Sequence, residues 1–180
     1  MIGQKKGQAA MEYLMTYGWA LLVIIIVLAL LLIILGGYLR GTPSCMFEEA
    51  GFVCNEPAVP ILSAAGALYG GFMQAKDEAI NISRVACIEG QSSKAQVPSG
   101  AWKTVPAANQ LLRPREFKTF SNLTGTAGLA CYSLSGAGIT ATGGSQFRGQ
   151  LWVEYSYLSD PAIGYTAKRS AVATVIANVE

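Results

Sequence analysis

Four cysteines, at positions 45, 54, 87 and 131, offer the most chemistry in this chain, because it contains no histidine. Without an imidazole there is no Ser-His or Cys-His pair for nucleophilic catalysis and no His-based metal centre. Four thiolates can hold zinc, but structural zinc sites usually carry a C-x-x-C knuckle and none is present. The other use of four cysteines is two disulfides in an oxidising compartment. Three connectivities exist. Pairing nearest neighbours joins Cys45 to Cys54 and Cys87 to Cys131, and the other two connectivities stay open.

The remaining candidates are weaker. Glu48-Glu49 and Asp77-Glu78 are adjacent acids, which point to different faces of a strand or helix and suit solvated charges better than a catalytic dyad. No spaced run of oxygen ligands marks a calcium loop. Gly136-x-Gly138-x-x-Ala141 has the form of a dinucleotide fingerprint, but Thr142-Gly143-Gly144-Ser145-Gln146 follows where a helix is required. Residues 125–149 hold seven glycines and are expected to be a flexible surface loop. No catalysis and no cofactor or metal is expected. Asn81-Ile82-Ser83 and Asn122-Leu123-Thr124 match the N-glycosylation acceptor pattern, so Asn81 and Asn122 are candidate modification sites. Trp102, Trp152, Tyr155 and Tyr157 belong to a core or an interface.

Charge narrows the partners. The formal net charge of the 180 residues is +2, too small for a nucleic-acid binder. Lys5 and Lys6 account for all of it, since without them basic and acidic residues balance at 11 each. A near-neutral surface does not oppose self-association.

The elements that would position these residues begin with the first forty. Tyr13 to Leu39 is a run of 27 residues without a charge. A cleaved secretion signal has an apolar core of about 7–15 residues and a small-residue cleavage site, and this run is longer and ends in neither. About 20 apolar residues span a bilayer core, and Leu14 to Leu35 suffices. Lys5 and Lys6 place the N-terminus in the cytoplasm and the larger part of the chain outside. A helix from Gln8 to Leu39 would be about 48 Å long. Glu12 fits neither a signal nor a plain anchor. A carboxylate at the edge of an apolar span is costly in lipid and should have a partner.

Lys5-Lys6-Gly7 followed by Gln8-Ala9-Ala10-Met11-Glu12-Tyr13-Leu14 resembles the class III signal peptide of archaeal type IV pilins, and Met15-Thr16-Tyr17-Gly18-Trp19-Ala20 extends the likeness. The resemblance covers about the first 25 residues. It implies cleavage between Gly7 and Gln8 by a membrane prepilin peptidase that requires Lys5 and Lys6. It assigns Glu12 and Tyr13 to processing or subunit registration. A physical account is that the new amine on Gln8, once cleavage has freed it, pairs with Glu12 of a neighbouring subunit. The implied partners are identical subunits in a helical filament, the peptidase, an assembly ATPase with its membrane platform protein, and the membrane before assembly. The implied product is the structural subunit of an adhesion pilus at the cell surface. The alternatives are a minor pilin or tip adhesin, and a single-pass anchored extracellular binding domain.

The same helix can serve in lipid and in a filament, because a helix apolar all round must be buried in one or the other. Gly18 and Ala20 are small enough for helices to approach closely there. After Gly36-Gly37 and Gly41-Thr42-Pro43, which mark the helix end and a hinge, Cys45 and Cys54 frame a stapled loop. Strands are then expected at 58–63, 67–75, 79–88, 102–105, 115–120, 129–134, 147–158 and 168–179, with a polar loop at 91–100. The clearest is the run from Phe147, where Leu151, Val153, Tyr155 and Tyr157 alternate with Trp152, Glu154 and Ser156. The expected fold class is α+β: a long N-terminal hydrophobic helix followed by an antiparallel β-sandwich or barrel-like headgroup. Its parts are a leader at 1–7, the helix at 8–40, a hinge and cysteine-framed loop at 41–57, and the β-rich headgroup at 58–180.

Overall fold

A computed structural model of the chain describes residues 5–38, 41–54, 59–160 and 167–180. The chain divides into two compact units, Met1–Gly41 and Thr42–Glu180.

The first unit is one helix, α1, Lys5–Tyr38. Leucine, alanine and methionine favour it, and its one interior glycine between Gln8 and residue 36, Gly18, costs about 1 kcal/mol relative to alanine. It starts three residues before Gln8 and runs through Gly36-Gly37 to Tyr38, so the paired glycines do not end it. Leu39 and Arg40 lie outside the described residues.

The second unit is mostly β. Its strands are β1 (Ser44–Phe47), β2 (Phe52–Cys54), β3 (Ile61–Leu62), β4 (Ala67–Tyr69), β5 (Gly71–Gln74), β6 (Ile80–Glu89), β7 (Lys103–Thr104), β8 (Leu111–Leu112), β9 (Phe117–Thr119), β10 (Leu129–Tyr132), β11 (Gln146–Tyr157) and β12 (Arg169–Val179). A short helix, α2 (Phe120–Thr124), follows β9, capped by the Thr119 hydroxyl, which accepts from the Asn122 backbone N–H at 3.2 Å.

Strands β12, β11, β6, β10, β4 and β3 pair in that order, and β3 pairs back onto β12, which closes a barrel. β1 lies on β12 next to β3, β7 and β8 join β6, and β2, β5 and β9 form a second, three-stranded sheet. The α+β class with a barrel-like β unit is thus observed. The expected all-antiparallel arrangement is not, because β6–β10 and β12–β3 are parallel pairs.

The barrel interior alternates along its two longest strands. Phe147, Leu151 and Val153 of β11 stand opposite Ala177, Ala173 and Ala171 of β12, a large side chain against a small one each time. All six are buried, which fills the tapering interior without overpacking. An aromatic group ties the second sheet to the barrel: Phe52 of β2 meets Tyr155 of β11 at 5.1 Å between ring centres, and Phe72 of β5 meets Phe47 of β1 at 5.6 Å.

Several expected boundaries shift. The single strand at 67–75 is two, β4 in the barrel and β5 in the second sheet. Gly70 between them has φ +143°, a conformation closed to ordinary side chains, and it turns the chain from one sheet to the other. The cysteine-framed loop at 41–57 contains β1 and β2; of this segment, residues 55–58 lie outside the described residues. The strand expected at 115–120 ends at Thr119 because Phe120 opens α2. Within 125–149, expected as a glycine-rich loop, the strands expected from 129 and 147 form as β10 and the start of β11, and the loop is confined to the residues outside them.

Candidate functional site

The helix surface is the first candidate. From Tyr17 to Leu35, α1 is long and apolar enough to cross a membrane, and none of that stretch is buried within the chain. Leu32 and Ile33 are 73% and 74% exposed, and leucines and isoleucines face outward on every side from 21 to 35. Each such side chain gains about 1.5–3 kcal/mol when taken out of water. Water is therefore a poor surrounding for this element, and lipid or other apolar surface a good one. At Gly18 an added methyl group would meet nothing, so no contact within this chain requires glycine there. Lys5, Lys6, Gly7, Gln8, Glu12 and Tyr13 all fall in the first turns of α1, and their side chains lie outside those described.

The four cysteines form two bridges, Cys45–Cys54 and Cys87–Cys131. Cys45 on β1 reaches Cys54 on β2, so the small closed loop carries a strand on either side of its turn. Cys87 and Cys131 are direct neighbours on the parallel pair β6–β10, with Cα atoms 4.5 Å apart. Both are buried in the barrel core. Parallel pairs are slightly less stable per residue than antiparallel ones, and here a covalent link spans the parallel pairing. Two disulfides suit an extracellular compartment.

The two acceptor asparagines differ. Asn122 is exposed on α2, while Asn81 is half-buried on β6 between β11 and β8, with its amide oxygen buried and unpartnered. Of the adjacent acids, Glu78 helps to hold a turn, because its Oε1 accepts from the Ser159 backbone N–H at 2.8 Å. Gly136 sits in a turn closed by its own N–H on the Ser133 carbonyl, with no helix after it.

An arrangement that alternation alone does not reveal lies on the outer face of the barrel around Glu154. Its side chain is 1% exposed. Opposite it, β6 carries one extra residue: Glu154 pairs with Arg84 and Tyr155 with Ile82, leaving Ser83 in a bulge. A bulge re-aims side chains, and here both Ser83 and Arg84 reach the same carboxylate. The Ser83 hydroxyl donates to Oε1 at 3.0 Å, and Arg84 donates from Nε to Oε1 at 3.0 Å and from Nη2 to Oε2 at 2.9 Å. Lys94 and Lys168 add ammonium groups at 3.3 Å each. Burial pushes the Glu154 carboxyl up, but the bonds from Arg84 and Ser83, the Arg84 charge and the Lys94 bond outweigh it and hold the group down at about 2. The Arg84 guanidinium also stacks on Trp102, 4.4 Å from the ring centre.

A second cation is enclosed by rings. Lys76 Nζ lies 5.2–5.5 Å from the centres of Phe52, Tyr155 and Tyr157. Burial lowers the Lys76 ammonium, yet its bonds to the Tyr157 and Tyr155 phenols and their charges prevail and raise it. Arg169 also lies over the Tyr157 ring, 4.4 Å from its centre, and pairs with Asp160 at 3.0 Å. The one signal in the sequence for the Glu154 cluster is a lone carboxylate midway along the longest alternating strand. For Lys76 there is none.

Compared with protein-family models, with curated proteins and with solved structures, the chain matches none. What its surfaces do therefore rests on their own chemistry.

Proposed function

We propose that this chain is the structural subunit of an adhesion pilus of the archaeal type IV kind. It is made as a precursor, cut between Gly7 and Gln8, held in the membrane by α1, and then polymerised with α1 as the filament core and the β unit as the outer sheath. The observation that carries this reading is the uncovered apolar surface of α1 from Tyr17 to Leu35, preceded by Lys5-Lys6-Gly7-Gln8 and Glu12-Tyr13. The β unit closes its own barrel core from its own strands. That core therefore needs no contribution from α1, whether α1 lies in lipid or against copies of itself.

The test is N-terminal sequencing of filaments sheared from the host. The expected result is a chain beginning at Gln8, either free or cyclised to pyroglutamate. A cyclised terminus would remove the amine as a partner for Glu12. Its absence from filaments, or a start at Met1, overturns the reading and leaves a single-pass anchored extracellular domain. Low abundance in otherwise pure filaments identifies a minor pilin or tip adhesin.

A further inference from the structure

Neutralising one carboxylate needs one bidentate arginine, and Arg84 already supplies it. Lys94 and Lys168 bring two further charges to Glu154 from separate segments, a 3-10 turn after β6 and the residue before β12. With Arg84 the cluster holds three cations against one anion, an excess of two. The nearest other acid on this stretch, Asp160, is already held by Arg169.

The excess is displayed as well as concentrated. The side chains of Lys94 and Lys168 are 42% and 56% exposed, so both ammonium groups are open to solvent. Lys94 lies 3.3 Å from Oε2 and Lys168 3.3 Å from Oε1 of the same carboxylate, so the two ammonium groups converge on one site. The segment that carries Lys94 is anchored to the barrel. The Ser92 N–H donates to the buried Gln150 side chain at 2.7 Å, and Val97 and Ala101 pack with Trp152 beneath the turn that carries Lys94. Half-buried Trp102 lies beside the cluster, against Arg84.

We infer that this face of the headgroup binds an acidic polysaccharide, with Lys94 and Lys168 on a sulfate or carboxylate group and Trp102 alongside as an apolar platform for a sugar ring. A few fixed cations next to one indole suit a charged sugar. A nucleic acid calls for a longer basic stripe, and an anionic membrane for about four to eight clustered basic residues. The site belongs to the β unit and does not depend on polymerisation, so its failure would leave the pilus reading standing.

The test uses the full chain in non-ionic detergent, with dextran sulfate and neutral dextran of equal length as probes. The expected result is binding of dextran sulfate that weakens with added salt, and no binding of neutral dextran. Losing two charge-assisted contacts in the Lys94→Ala, Lys168→Ala double variant should weaken it roughly tenfold or more. The melting temperature should fall only modestly, since Arg84 and Ser83 still hold Glu154 in the double variant. Arg148→Ala, an exposed cation further along β11, serves as the control and should bind like the parent. Equal binding by parent and double variant overturns the proposal, as does an equal loss in the control. Tighter binding to an oligonucleotide or to phosphatidylglycerol vesicles than to dextran sulfate overturns it too.

Discussion

Arg84 grips Glu154 through two parallel hydrogen bonds, Nε to Oε1 at 3.0 Å and Nη2 to Oε2 at 2.9 Å, across a bulge that also delivers Ser83 to the same carboxylate. Fork-to-carboxylate pairing is the strong, directional form of a salt bridge. Here it is shielded on one side by the segment that carries Lys94 and Trp102.

Low pH should remove the stability that this pair contributes. The Glu154 carboxyl is held at about 2 against an ordinary value of 4.5. A depressed acid contributes its stability above the ordinary value and loses it as pH falls through the folded one. Unfolding in urea at a series of pH values should therefore show a loss of order 3 kcal/mol between about pH 4.5 and 2. Glu154→Gln should cost about 1–3 kcal/mol at neutral pH and flatten that acid limb. An acid limb of full size in the variant would assign it to other groups.

Gly51→Ala should destabilise the β unit for two separable reasons. Gly51 has φ +103°, and a methyl group there would lie 2.5 Å from Cγ of Lys76. The expected cost is about 1–3 kcal/mol. Adding Lys76→Ala removes the collision but not the backbone strain. The double variant should then cost less than the sum of the singles in a denaturation cycle, and strict additivity would show that Lys76 does not cover Gly51.

The two disulfides should contribute unequally. The bridges join residues 44 and 9 apart in sequence. Loop-closure entropy assigns about 4 kcal/mol to the longer and between about 2 and 3 to the shorter. Replacing Cys87 and Cys131 together by alanine should lower the melting temperature more than replacing Cys45 and Cys54. The reverse order in calorimetry would point to strain or to residual structure in the unfolded chain.

Gly18→Ala should separate helix stability from assembly. With open space around Gly18, alanine should stabilise α1 by up to about 1 kcal/mol. Membrane insertion, followed by fractionation, should be unaffected. If helices approach at Gly18 in the filament, filament yield should fall. An unchanged yield would make this glycine a neutral flaw.

Glycan occupancy should follow exposure. Asn122 stands on the surface of α2, whereas Asn81 is locked between strands. Mass spectrometry of material from the host should find any glycan at Asn122, removed by Asn122→Gln. A glycan on Asn81 alone would mean that attachment precedes folding of β6.

The long strands were legible from alternation. Leu151, Val153 and Tyr155 take the inner face of β11, as their spacing requires, because period-2 patterning is a local property. The bridges match the nearest-neighbour pairing. Ring closure was not legible. It depends on the parallel pairs β6–β10 and β12–β3, in which β3 contributes only Ile61–Leu62, and so short a run carries no periodic signal. Trp152 and Glu154 share the outer face of β11, and both are buried, because the segment after β6 folds back over them. The Glu154 cluster needs a bulge and three separate segments, and spacing along one strand encodes none of these.

β12 is the strand through which the barrel shuts, since it pairs with β11 along its length and takes both β1 and β3 on its other side. It also follows every other barrel strand in chain order. A nascent polypeptide thus releases its greasiest segment first and the seam of its closed sheet last. Throughout that interval β1 and β3 wait with their bonding edges unfilled. Synthesis and folding are thereby forced out of step, and whatever shelters α1 must act before the β unit exists as a folded body.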